Sequence, residues 1–152
     1  MMIRPRQRRG FTLIELIVAA TIVMTLCGMA MPLARYETKR EKERLLRDSL
    51  QQLRDAIDRY AEGSLAGKFN NAPSYGYPPS LQALVDPIEM RNGAKLRILK
   101  EIPIDPMTGE RNWGVHSMED DPDSDSWDGN QIWDVYSRAP GMGLNGIQYR
   151  NW

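Results

Sequence analysis

The residue types best suited to chemistry in this chain are carboxylates. Asp121, Asp123, Asp125 and Asp128 lie in a run from Glu119 to Asp128 that is rich in acids. An Asp-x-Asp-x-Asp start is how an EF-hand calcium loop begins, because hard oxygen donors suit that ion. Ser126 stands where that loop needs glycine, and Ile132 where its bidentate glutamate belongs. A solvated acidic loop is the expected state, with calcium on the four aspartates as the alternative. His116 and Cys27 are each the only residue of their kind. No disulfide within the chain, cysteine-rich zinc site or two-histidine motif is therefore available. His116-Ser117 beside so many aspartates suggests a triad only if geometry is ignored, since there is no G-x-S-x-G elbow. Nothing fixes the separation of any carboxylate pair for glycoside chemistry. No G-x-x-x-x-G-K-[ST] phosphate loop and no internal repeat occurs. These residues point away from an enzyme.

Glu15 is a different kind of carboxylate. Directly after it, Leu16 to Ala34 carries no charged residue. Nineteen helical residues rise about 28 Å, close to the hydrocarbon thickness of a bilayer. An acid within such a segment costs on the order of 2.5–3.5 kcal/mol at mid-helix and less near an end. It therefore calls for a partner. The obvious one arises if the chain is cut after Gly10, for the new Phe11 amine then lies one helical turn from Glu15. In a polymer the acid of one copy could meet the amine of the next. The alternative is a solvated carboxylate favoured by the helix dipole.

Glu15 is flanked by a basic start and a long helical pattern. Arg4, Arg6, Arg8 and Arg9 form a basic start without acids. Lysine plus arginine balance aspartate plus glutamate overall, so the chain beyond that start carries about −4. This balance gives no indication of nucleic-acid binding. An ordinary secretory signal fits poorly, because Pro32-Leu33-Ala34 is a poor cleavage site and the apolar run exceeds an h-region of about 7–15 residues. Pro32 removes a backbone donor and is expected to kink or locally melt the helix. Beyond it, Leu46, Leu50, Leu53, Ile57 and Tyr60 recur at steps of four and three, the apolar face of an amphipathic helix. Gly63 reads as its stop. A helix from Phe11 to Glu62 would be roughly 78 Å long.

The remainder reads as a small mixed domain. Ser80 caps a short helix carrying Leu81, Leu84 and Val85 that Pro87 ends. Ile98 to Pro103 leads into a turn at Asp105-Pro106-Met107-Thr108-Gly109. Trp113–His116 and Gln131–Tyr136 are predicted strands, with a third near Ile147–Tyr149. Three short strands need an apolar cover, which the 46–60 helix face supplies. The expected fold class is α+β, a long kinked N-terminal helix with a small antiparallel sheet packed on its C-terminal half. The expected divisions are a removed leader at 1–10, a transmembrane and filament-core helix at 11–34, an amphipathic helix at 35–62 and a globular domain at 63–152.

Arg8-Arg9-Gly10-Phe11-Thr12-Leu13-Ile14-Glu15-Leu16 resembles the class III signal of type IV pilins and type II secretion pseudopilins. Three further segments, in order, are similar to the major pseudopilin (the G subunit) of type II secretion. They are Gly76-Tyr77-Pro78-Pro79-Ser80-Leu81-Gln82-Ala83-Leu84, then Ile102 to Glu110, then Ile132-Trp133-Asp134-Val135-Tyr136-Ser137. The resemblance implies cleavage between Gly10 and Phe11 by a prepilin peptidase, N-methylation of Phe11, and assembly through Phe11, Glu15 and a loosening at Pro32. It implies as partners copies of itself in a helical filament, the peptidase, an inner-membrane platform with an assembly ATPase, minor pseudopilins and membrane lipid, but no nucleic acid. It places the chain in a bacterial inner membrane by a single pass, with its domain in the periplasm. Six lysines or arginines between Arg35 and Arg47 give no support to a cytoplasmic leader, so orientation rests on the resemblance. Many G-type pseudopilins hold calcium through aspartates of a C-terminal loop. Ser137 to Trp152 contains no acid, so that metal site is not carried over and no cofactor is expected. The alternatives are a minor pilin or another type IV filament subunit, and, from other classes, a membrane-anchored periplasmic binding protein or a secreted enzyme.

Overall fold

The computed structural model describes residues 10–120, 127 and 129–152, and for 29–34 only the backbone. One helix, α1 (Leu13–Leu65), is followed by short elements: 3-10 turns at Leu81–Leu84 and Tyr149–Asn151, and strands β1 (Ile88–Glu89), β2 (Lys95–Leu96), β3 (Gly114–His116) and β4 (Asp134–Tyr136). Packing divides the chain into two units, one ending at Lys39 and one spanning Arg40–Trp152.

In the first unit, α1 runs unbroken through Pro32, so the melting expected there does not interrupt the helix. The side chain of Pro32 lies outside the described residues. Phe11, Leu13, Ile14, Leu16, Ile17, Val18, Ile22, Val23, Met24 and Leu26 are all exposed. At 100° per residue these positions surround the helix, leaving no polar face toward water. Among the described residues, no helix is long and apolar enough to cross a membrane. The uncharged side chains described there, Leu16 to Gly28, cover only about 20 Å of helix. The rest of the anticipated span lies at 29–34.

In the second unit the predicted stripe is the core. Leu46, Leu50, Leu53, Ile57 and Tyr60 are buried against Phe69, Leu84, Leu99, Trp113, Ile132, Val135 and Tyr149. Gly63 does not end the helix, contrary to the sequence reading. A Cβ there would come 2.5 Å from the Phe69 ring, so the glycine makes room for an aromatic side chain that also meets Tyr60 edge-on at 5.2 Å. The true stop is Gly67 at φ +66°, a backbone state that favours glycine. Its N–H donates to the Ser64 carbonyl at 2.9 Å and Lys68 N–H donates to the Gly63 carbonyl at 3.0 Å, the paired bonds of a Schellman motif.

The expected cap at Ser80 is present, with its Oγ accepting the Ala83 N–H at 3.3 Å. The sheet differs from expectation. β3 and β4 pair antiparallel, Val115 opposite Val135, but Ile147–Tyr149 adds no third strand. Gln148 forms only a bridge to Met142, because the chain turns into a 3-10 helix at Tyr149. A second two-stranded ladder, Ile88 opposite Leu96, was not anticipated. It closes through Asn92-Gly93, with Gly93 at φ +82°. Tyr136 lies across β3 where a Cβ on Gly114 would meet its ring, and it stacks on His116 at 4.6 Å. Arg54 of α1 reaches β4, with Nε 2.7 Å from Asp134 Oδ1, and donates to the Trp152 backbone oxygen at 2.6 Å.

Candidate functional site: the start of α1

Gly10, Phe11 and Thr12 precede the helix. Among the described residues, nothing lies within 4 Å of a Cβ placed on Gly10, so no contact with them demands glycine there. Phe11 is 83% exposed. Thr12 is the N-cap, a residue missed in the sequence reading. Its carbonyl accepts the Leu16 N–H at 3.2 Å and its Oγ1 accepts the Glu15 N–H at 3.3 Å. Thr12-x-x-Glu15 before an apolar run is the spacing of a capping box, and that signal was available in the sequence. The exposed Glu15 carboxylate sits in the first turn, where the positive end of the helix favours it. Phe11, Thr12 and Glu15 are thus grouped at one helix end, as the spacing required. Pro32 lies more than four turns on, outside this group.

The other sequence-stated candidates separate. Asp121, Asp123, Asp125 and Asp128 lie outside the described residues. No cluster of three or more potential metal ligands occurs among those described. His116 is a sheet residue stacked on Tyr136, and its buried Nδ1 has no hydrogen-bond partner among the described residues.

Two buried acids organise the domain. Asp105 is fully buried. Its Oδ1 accepts the Met107 N–H at 2.7 Å and its Oδ2 accepts the Ser137 hydroxyl at 2.5 Å. This joins two of the segments singled out in sequence. Glu43 of α1 is also buried. Its Oε1 accepts the Leu144 N–H at 2.9 Å and the Tyr149 hydroxyl at 3.0 Å. Burial, and then the Glu43 carboxylate, push the Tyr149 hydroxyl up to about 12. The folded state therefore holds the phenol proton more tightly than the unfolded chain, whose value is near 10. That contribution to stability is complete below pH 10 and is lost as pH rises from about 10 to 12. Tyr149→Phe is expected to flatten stability over that window, as read by urea midpoints at stepped pH. An unchanged slope would mean Tyr149 is not the group responsible.

Residues 5–31 match the family model for the prokaryotic N-terminal methylation motif. The match covers the Gly10–Phe11 junction, Thr12, Glu15 and the first turns of α1. The chain therefore carries the N-terminal signal of type IV pilin-like proteins. Neither the comparison with curated proteins nor that with solved structures found a match.

Proposed function

We propose that this chain is a structural subunit of a type II secretion pseudopilus, processed by a prepilin peptidase and polymerised to drive protein export across the outer membrane. One observation carries the reading. A methylation motif opens a helix whose apolar side chains are exposed on every face from Leu13 to Leu26. Such a surface far exceeds the patch of a few hundred Å² that a soluble monomer tolerates, and it requires lipid before assembly and neighbouring helices after it. The open surroundings of Gly10 support a demand for glycine from outside the chain, where an enzyme must approach the backbone closely.

In this reading the peptidase cuts between Gly10 and Phe11 and methylates the new amine, which keeps its charge. The segment from Phe11 to Ala34 spans the inner membrane once, with the domain in the periplasm. Glu15 pairs with the Phe11 amine of a neighbouring subunit. An unpaired acid within the apolar layer is costly, so a subunit inserted out of register is penalised. Free energy for growth comes from an assembly ATPase acting through an inner-membrane platform, and minor pseudopilins accompany the polymer. The three domain segments similar to the G subunit support the assignment to type II secretion over other type IV filaments.

The test is intact mass of the protein extracted from membranes. A chain beginning at methylated Phe11 is the expected result. One beginning at Met1 would overturn the processing step, and one beginning near Arg35 would mean a secreted protein. The export role is read separately. Loss of the chain is expected to trap exported proteins in the periplasm, and undisturbed export would refute it.

A further inference from the structure

The β3–β4 ribbon has two faces. Val135 belongs to the core and Val115 packs against it, so their neighbours in the ladder, His116 opposite Asp134 and Gly114 opposite Tyr136, point the other way. That outer face floors an open cavity of about 720 Å³, with Met118, Trp133 and Trp152 among its walls. Trp133 is 48% exposed and Met118 59%. The ring N–H of Trp133 and the side-chain amide of Asn151, which also lines the cavity, make no hydrogen bond among the described residues.

The other polar groups are held in place. Arg54 Nε donates to Asp134 Oδ1 at 2.7 Å, and its Nη2 donates to the Val135 and Trp152 backbone oxygens at 3.3 and 2.6 Å. Asp120 Oδ2 accepts the Ser117 N–H at 2.7 Å, which leaves its second oxygen without a partner among the described residues. Trp152 donates its ring N–H to the Ile147 carbonyl at 3.3 Å and lies under the Arg47 guanidinium, 4.5 Å from the ring centre. The rings of Tyr136 and His116 stack at 4.6 Å. Little ordering is left for a ligand to impose, which favours binding.

The chemistry of the lining selects the ligand. Among the described lining residues, Arg54 and Arg150 balance Asp120 and Asp134, so neither an anion nor a cation meets an excess of opposite charge. Exposed aromatic faces accept a flat C–H surface, while a fixed carboxylate and amide offer acceptors and donors for hydroxyl groups. An adjoining concavity of about 420 Å³ shares Arg54, Asn151 and Trp152 and extends the surface past a single ring. We infer that the outer face of the β3–β4 ribbon binds a neutral β-linked oligosaccharide, whose equatorial hydroxyls leave flat C–H faces. Trp133 is the stacking platform, and Asp120 and Asn151 take the hydroxyls. This binding goes beyond the filament role and does not depend on polymerisation.

The test uses the full chain in a detergent without a sugar headgroup, since a glycoside would compete. Chitotriose and cellotriose are titrated by calorimetry, with trigalacturonate as the charged control. Saturable binding of a neutral trimer at millimolar concentration or below is expected, unchanged by added salt because the ligand carries no charge. Trp133→Ala is expected to weaken it about tenfold or more and Trp133→Phe, which keeps a ring, by less. Asp120→Asn, which keeps an acceptor for the Ser117 N–H, is expected to cost about fivefold. Urea midpoints equal to wild type show that the variants are folded. Retention on a chitin or cellulose column, reversed by free trimer, assigns the site to polymer chains, and binding of trimers alone assigns it to free oligosaccharides. No saturation by either neutral trimer, full affinity in folded Trp133→Ala, or salt-sensitive preference for trigalacturonate overturns the inference.

Discussion

Gly10→Val is expected to leave the chain at its full precursor mass, while Glu15→Val is expected to be processed and to fail to assemble. The first outcome follows from the open space around Gly10. Valine meets nothing among the described residues, so folding is expected to be unaffected and the whole effect to fall on the peptidase. A β-branched side chain at the scissile residue blocks close backbone approach, and mature protein is expected to drop below about a tenth of wild type, a barrier change of only about 1.4 kcal/mol. The second outcome follows from the exposed carboxylate in the first turn of α1. Thr12, not Glu15, caps the helix through its hydroxyl, so the helix start survives loss of the acid. Removing the charge also makes the segment more apolar, so membrane insertion is not impaired. What disappears, on the proposed function, is the partner for a neighbouring Phe11 amine. Mass spectrometry reads the cut and cross-linking in membranes reads assembly. Normal polymers from Glu15→Val would remove the acid from the mechanism, and a block to cleavage would exchange the two roles.

Glu43→Ala is the substitution expected to damage the domain most. Its carboxylate accepts from Leu144 and Tyr149, residues about a hundred positions away in the chain. Alanine leaves a buried hydroxyl and a backbone N–H without that acceptor, at about 1–3 kcal/mol for each group left unsatisfied. The expected total is about 2–4 kcal/mol, a large part of the stability of a small domain. Glu43→Gln keeps a carbonyl oxygen of the same reach and is expected to lose about half as much. Urea midpoints give the difference, and hydrogen exchange at Leu144 locates it. Fast exchange there with a modest global change would mean that the 141–149 segment undocks locally. Equal stability of Glu43→Ala and wild type would show that the two bonds contribute nothing net.

Glu43 also shows where sequence reading stops. It lies three residues before Leu46, and 43, 46, 50, 53, 57 and 60 share one spacing. An acid on the buried stripe was therefore legible in the spacing, but the stripe was read from its apolar members alone, beginning at Leu46. The same local vision succeeded at Ser80, whose cap spans three residues, and at the Asp105 turn, where Gly109 N–H donates to the Asp105 carbonyl at 2.7 Å. It misjudged Gly63, because glycine as a stop and glycine as space for Phe69 look alike until the ring is placed. Asn92-Gly93 is a hairpin signal that was legible and passed over. The strand anticipated at Ile147–Tyr149 failed for the opposite reason. Alternation and aromatic content favour a strand locally, but Tyr149 is drawn to Glu43 and to Trp152, whose ring lies 5.2 Å away.

By itself, then, the amino-acid sequence determined the N-terminal motif at residues 5–31, the acid five residues past the glycine, the uncharged segment, the core stripe of α1 and the α+β class. Each depends on spacing within a few turns, where chain connectivity already fixes which groups can meet. Only the tertiary structure decided that Asp105 meets Ser137, that Arg54 links α1 to β4 and Trp152, and that Glu43 holds the 141–149 segment. Those pairings close loops of 32 to 106 residues. The entropy of closing a loop depends so weakly on its length that many partners compete on nearly equal terms, and packing of the whole core selects among them.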